Sequence, residues 1–142
     1  MKTILVTLSL AFSTLFINAQ APVEAVSETS TITVTVPVKS TEGNVVFGLY
    51  TEGNFMQQPT VGLEGEIVDG KATVTFTDVA PGDYAVILFH DKNKNKRMDF
   101  DASGMPQENY GMSNNVMSYG PPQWSDAKFT VADAPLELEI RF

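Results

Sequence analysis

Residues 31–38, Thr-Ile-Thr-Val-Thr-Val-Pro-Val, alternate without a break. Ile32, Val34, Val36 and Val38 fall on one side and the threonines on the other. A strand with this period buries every apolar group on one face, whereas a helix would scatter them around its circumference. Pro37 has no N–H to give to a ladder and places the end of this strand near a sheet edge. The same period returns along the chain at 45–50, 63–68, 71–77, 84–90, 127–131 and 136–142. Turn signals separate several of these runs. Asp69-Gly70 suits the two positive φ angles of a type I′ hairpin, and residues 78–83 and 41–44 hold further turn residues. Residues 84–90 are apolar on both faces, which predicts a central strand. No window carries a helical period with caps.

Seven short strands of this kind predict an all-β fold: an antiparallel β-sandwich of immunoglobulin-like or prealbumin-like type over residues 31–142, with one long loop between strands five and six. The alternation assigns Phe76, Tyr84, Val86, Leu88, Leu138 and Ile140 to the core. Tyr84 follows Gly82 into its strand and has two readings. Its hydroxyl ties down the incoming loop, or the ring is simply a large core group.

The first 19 residues read as an export signal, with Lys2 ahead of an apolar stretch and small residues around Ala19. Residues 20–30 read as a flexible leader. No other apolar run approaches the roughly 18 residues of a membrane span, so no transmembrane segment is expected and the mature chain is expected to be secreted or periplasmic. A formal net charge of −8 argues against non-specific nucleic-acid binding. The chain has no cysteine and one histidine, which removes disulfides, thiolate chemistry and His-rich metal sites.

Residues 91–126 are too long to be a simple connection, and such segments are usually functional or packed Ω-loops. Their first part is His90-Asp-Lys-Asn-Lys-Asn-Lys-Arg-Met-Asp99. Further on come Gly104-Met-Pro106, Glu108, Tyr110-Gly-Met-Ser-Asn114, Pro121-Pro122 and Asp126-Ala127. Together with Gly82-Asp-Tyr84, these motifs in this order resemble the DUF2141 family of small exported bacterial proteins, over roughly residues 31–142. The resemblance implies a fold and a compartment but no activity. The family pattern is similar to His-Asp-x-Asn-Gly-Asn-Gly-x-x-Asp, and this chain has Lys94 and Lys96 where glycines are common.

Asp91, Asn93, Asn95, Arg97 and Asp99 take alternate positions, as the first, third, fifth, seventh and ninth residues of an EF-hand-type calcium loop do. Two carboxylates, two amide oxygens and the Arg97 carbonyl would offer about five hard oxygens to calcium. Against a tight site stand Lys96 at the glycine position, Ala102 at the position of the closing glutamate, and four cationic side chains against three carboxylates from residue 91 to 101. The other reading is a solvated connector in which Asp and Asn cap the backbone through Asx-turns.

His90 shares a face with Tyr84, Val86 and Leu88, which makes it a hydrogen-bonded histidine at the rim of the core. A hydrolase-like site would need Glu108 or Ser113 brought to His90 by the loop, and no nucleophile motif accompanies it. Tyr110, Tyr119, Trp124, Met105, Met112 and Met117 give the long loop apolar weight. They fold it over the domain as a lid, or Tyr119 and Trp124 stack on a sugar or peptide. The resulting expectation is an exported, non-enzymatic binding or accessory module for a protein or carbohydrate ligand. The alternatives are the His90/Glu108 hydrolase and an envelope protein that pairs through a sheet edge.

Overall fold

The computed structural model describes residues 28–142; the expected signal at 1–19 lies outside the described residues. The described residues are all-β, with their strands in two sheets. β1 (Ser30–Pro37), β4 (Lys71–Val79) and β8 (Leu136–Glu139) form one, in the order β4-β1-β8. β2 (Asn44–Tyr50), β3 (Val61–Glu66), β5 (Gly82–Asp91) and β6 (Tyr110–Met112) form the other, in the order β3-β2-β5-β6, and β7 (Phe129–Val131) pairs with the start of β5. As the alternation predicts, Ile32, Val34 and Val36 of β1 are buried and the threonines between them are half-exposed. Thr33 and Thr35 meet Thr75 and Thr73 of β4 on the open face, hydroxyl to hydroxyl at 3.0 Å in each pair.

One core takes side chains from both sheets. Ile32, Val34, Ala72, Val74 and Phe76 come from the first, and Val45, Phe47, Leu49, Val86 and Leu88 from the second. Asp69 and Gly70 adopt φ of 51° and 76°, so the hairpin between β3 and β4 has the left-handed backbone that Asp-Gly predicts. The Tyr84 hydroxyl donates to the Ala80 carbonyl at 3.0 Å, so it ties the turn while its ring packs half-buried against the core.

Three expectations need correction. The first sheet is mixed, because β1 and β8 run parallel, with Ile32 opposite Leu136 and Thr35 opposite Glu139. Parallel neighbours cannot be joined by a tight turn, and here almost the whole domain lies between them. Second, the described residues hold eight strands, and the long segment is not devoid of structure. It contains β6, a 3₁₀ turn at Ser113–Asn115 and a short helix α1 (Trp124–Ala127). A three-residue strand centred on glycine carries no alternation to read, yet Gly111 is what permits it: a Cβ there would collide with the Arg141 carbonyl. Third, Phe76, Val86, Leu88 and Ile140 are buried as expected, but Leu138 and Tyr84 are only half-buried. Leu138 sits on β8 at the edge of its sheet, where no further strand among the described residues covers its outer flank.

Candidate functional site

β5 is central in its sheet and ends at His90 and Asp91, whose side chains leave on opposite faces. His90 turns inward. It is 2 % exposed, its Nε2–H donates to the Glu42 carbonyl at 2.7 Å, and its ring lies 6.2 Å from that of Phe142. Asp91 turns to the outer face and is fully buried there. Its Oδ1 accepts the Asn95 N–H at 3.1 Å and its Oδ2 the Lys96 N–H at 2.7 Å. The loop is thereby wound back onto the end of β5.

The next turn is built around Asp99. Its Oδ2 accepts from the Asn93 side-chain amide at 2.7 Å and its Oδ1 from that of Asn95 at 2.8 Å. Asn93 Oδ1 accepts the Asn95 N–H at 3.2 Å, and Asn95 Oδ1 accepts the Arg97 N–H at 2.9 Å. These are the Asx-turns of the connector reading. Of the five residues singled out by spacing, Asp91, Asn93, Asn95 and Asp99 are joined in one network. Arg97 enters it through its N–H rather than its carbonyl. Among the described residues, no three His, Asp or Glu side chains gather in a way that would hold a metal ion.

The two lysines in the glycine positions keep the backbone a glycine would favour: φ is 58° at Lys94 and 62° at Lys96. An L-residue in this region costs about 1–2 kcal/mol. Lys96 recovers an ion pair, its Nζ 2.7 Å from Glu64 Oε1 on β3. That contact, with the coulombic attraction of Lys96 and the Asn44 amide, holds the Glu64 carboxyl below its ordinary range against a desolvation that would raise it. Lys96 is raised in turn, first by Glu64 and also by the charge of Asp91.

Glu108 is 6 % exposed and clamps the loop from its far side, accepting the Lys92 N–H at 3.0 Å and the Asp99 N–H at 3.3 Å. Ser113 is fully buried. Its Oγ accepts the Val86 N–H at 3.0 Å and donates to the Ala127 carbonyl. Asn114 donates to the carbonyls of Asp126 and Lys128 at 2.8 and 2.9 Å. Asn115 donates to the Glu139 carbonyl and accepts the Arg141 N–H, both at 2.8 Å. The Tyr110-Gly-Met-Ser-Asn-Asn motif is therefore a rivet that joins β5, α1 and the C-terminal segment. Sequence reasoning considered Ser113 as a nucleophile and missed this role; a Ser-Asn-Asn run straight after a glycine-bearing strand is the signal it offered.

Between the loops, the outer face of β5 opens into a groove of about 470 Å³. Ile87 and Phe89 form its floor with Tyr50, and Phe100, Met105 and Tyr110 stand on its walls. Phe100 is 57 % and Met105 62 % exposed. The lid reading holds for part of the long loop only. Met112 is buried and Trp124 packs edge-on against Phe55 at 5.5 Å, so both anchor the loop. Tyr119 and Met117 are fully exposed and anchor nothing. Trp124, engaged in this way, is not a free stacking platform.

A profile of the family described as an uncharacterized protein conserved in bacteria, DUF2141, matches residues 32–139. No curated protein and no solved structure matches the chain.

Proposed function

The chain belongs to the DUF2141 family, and from that premise we propose that it is an exported, non-enzymatic binding module built on an immunoglobulin-like or prealbumin-like β-sandwich. The apolar groove on the outer face of β5 carries this reading. Binding sites for small molecules are concave, mostly apolar and about 300–1,000 Å³ in volume, and the groove falls in that range. Large side chains left on its walls are otherwise a liability in water. Its aromatic and proline lining, which includes Pro106, Pro121 and Pro122, suits an apolar or aromatic group of a ligand, including the face of a sugar ring.

The chemistry around His90 supports the absence of catalysis. The one histidine is 2 % exposed and turned into the core, both Glu108 oxygens accept backbone N–H groups, and the Ser113 hydroxyl is buried in its own hydrogen bonds. A general base and a nucleophile need free lone pairs facing a substrate. Export rests on the signal pattern of residues 1–19. We keep the calcium reading at the buried end of the 91–99 loop, where Asp91 is opposed in register by Asn44 of β2.

The test uses the neutral fluorophore N-phenyl-1-naphthylamine. The protein should enhance its emission saturably. Phe100→Ser, on the groove wall and exposed, should weaken the enhancement without changing the melting temperature by more than a few degrees. Equal enhancement by wild type and Phe100→Ser would remove the groove from the proposal.

A further inference from the structure

Asn44 opens β2 and is 3 % exposed. One limb of its amide, Nδ2, donates to Glu64 Oε2 on β3 at 2.9 Å. The other limb, Oδ1, is buried and accepts no hydrogen bond among the described residues. Reversing the amide would set two oxygens against each other at Glu64, so this assignment is fixed by its partner. β2 lies between β3 and β5. An amide whose nitrogen donates to Glu64 turns its oxygen away from that carboxylate. On the β5 side, Asn44 is paired in register with Asp91. Directly opposed residues share a face, with Cβ atoms about 4.5–5.5 Å apart. Gly43, at φ 75°, permits this close approach, because a Cβ there would collide with the Asp91 carbonyl.

Two buried acceptors therefore belong to directly opposed residues, one a neutral oxygen and one a carboxylate with no exposure at all. Each is costly to bury unless a donor or a cation faces it. Each Asp91 oxygen takes one backbone N–H, which leaves about two of the carboxylate's four lone-pair positions open.

We propose that Asn44 Oδ1 and the Asp91 carboxylate are the inner ligands of a calcium ion, a site that joins β2 to the 91–99 loop. This deepens the calcium reading of that loop and replaces its ligand set with one that includes a residue 47 positions before Asp91. Hard oxygen donors with no thiol or imidazole among them select calcium or magnesium over transition metals. Calcium tolerates an irregular shell completed by water, whereas magnesium demands near-octahedral geometry. Lys96 is the built-in competitor. Its ammonium sits on Glu64, next to Asn44, and feels the charge of Asp91. Affinity is consequently weak, with Kd on the order of 10⁻⁴–10⁻³ M, the range of extracellular calcium modules.

Thermal melts of the purified protein in calcium chloride, magnesium chloride and sodium chloride at matched ionic strength test the site. Calcium should raise the melting temperature saturably and magnesium should do so far less. Asn44→Ala should move half-saturation to at least tenfold higher calcium, and Lys96→Gly should move it several-fold lower. Absence of a saturable calcium shift in wild type overturns the calcium reading of the loop as a whole. A wild-type shift that persists unchanged in Asn44→Ala leaves the ion on the loop and overturns the role of Asn44. If Asn44→Ala does not fold, a crystal structure grown in calcium decides. A density peak about 2.3–2.6 Å from Asn44 Oδ1 and an Asp91 oxygen supports the site, and a water molecule at hydrogen-bond distance overturns it.

Discussion

Ser113 Oγ accepts the amide hydrogen of Val86 at 3.0 Å, a bond between residues 27 positions apart that fastens the long loop to the middle of β5. The same oxygen donates to the Ala127 carbonyl, so one hydroxyl satisfies groups on two other segments in a place water does not reach. Ser113→Ala leaves the Val86 N–H and the Ala127 carbonyl buried without it. The expected loss is about 1–3 kcal/mol in a urea titration. A change within error would mean that the loop relaxes to admit water there.

Gly111 controls how closely β6 approaches the C-terminal segment. Gly111→Ala should destabilise the domain by about 1–3 kcal/mol, because the added methyl meets the Arg141 backbone rather than a flexible side-chain end. Hydrogen exchange at β6 and residues 139–141 should accelerate first. Unchanged protection there would show that the two segments separate freely.

Leu88 is fully buried between the sheets. Leu88→Ala should cost about 2–5 kcal/mol by loss of burial and creation of a cavity. A negligible shift of the denaturation midpoint would place that face of β5 outside the core.

Lys94 holds a left-handed backbone at φ 58°. Lys94→Gly should be more stable than Lys94→Ala by about 1 kcal/mol, since only glycine escapes the clash of Cβ with the backbone. Equal stability of the two variants would show that the loop shifts φ when the side chain changes.

The Glu64–Lys96 pair sets a pH dependence with a definite sign. A carboxyl held below its ordinary range contributes stability that is present above that range and is lost as pH falls through the lowered value. A raised lysine contributes below its ordinary range and loses that contribution as pH climbs through the raised value. Glu64→Gln should flatten the acid limb of a stability–pH curve, and added salt should shrink the difference because the pair is exposed. An acid limb identical in both proteins would mean that solvent screens the exposed pair to no net contribution.

Much of this architecture is legible in the alternation. Ile32, Val34 and Val36, or Ala72, Val74 and Phe76, announce their face because each is half of a two-sided pattern. Asp69-Gly70 announces its turn because few residues accept two positive φ angles. The parallel pairing of β1 with β8 is invisible locally, since register between the two ends of a chain depends on everything folded between them. The 91–99 loop is half legible. The spacing of Asp91, Asn93, Asn95 and Asp99 puts them in one network, but metal loops and Asx-turn connectors use the same residues at the same intervals. Glu108 clamps the loop from beyond it and Asn44 stands opposite Asp91 in register, and no local pattern marks either relationship. The groove, too, is assembled from separate segments, and of its walls only Met105 and Tyr110 stood out in the sequence.

Nuclear magnetic resonance of isotope-labelled protein titrated with N-phenyl-1-naphthylamine asks most directly whether the outer face of β5 is a binding surface. Shifts at the amides of Ile87, Phe89, Phe100, Met105 and Tyr110 that saturate together, with the β1 and β4 amides unmoved, are the expected result. Shifts spread evenly over both sheets, or confined to residues outside the groove such as Met117 and Tyr119, would contradict it.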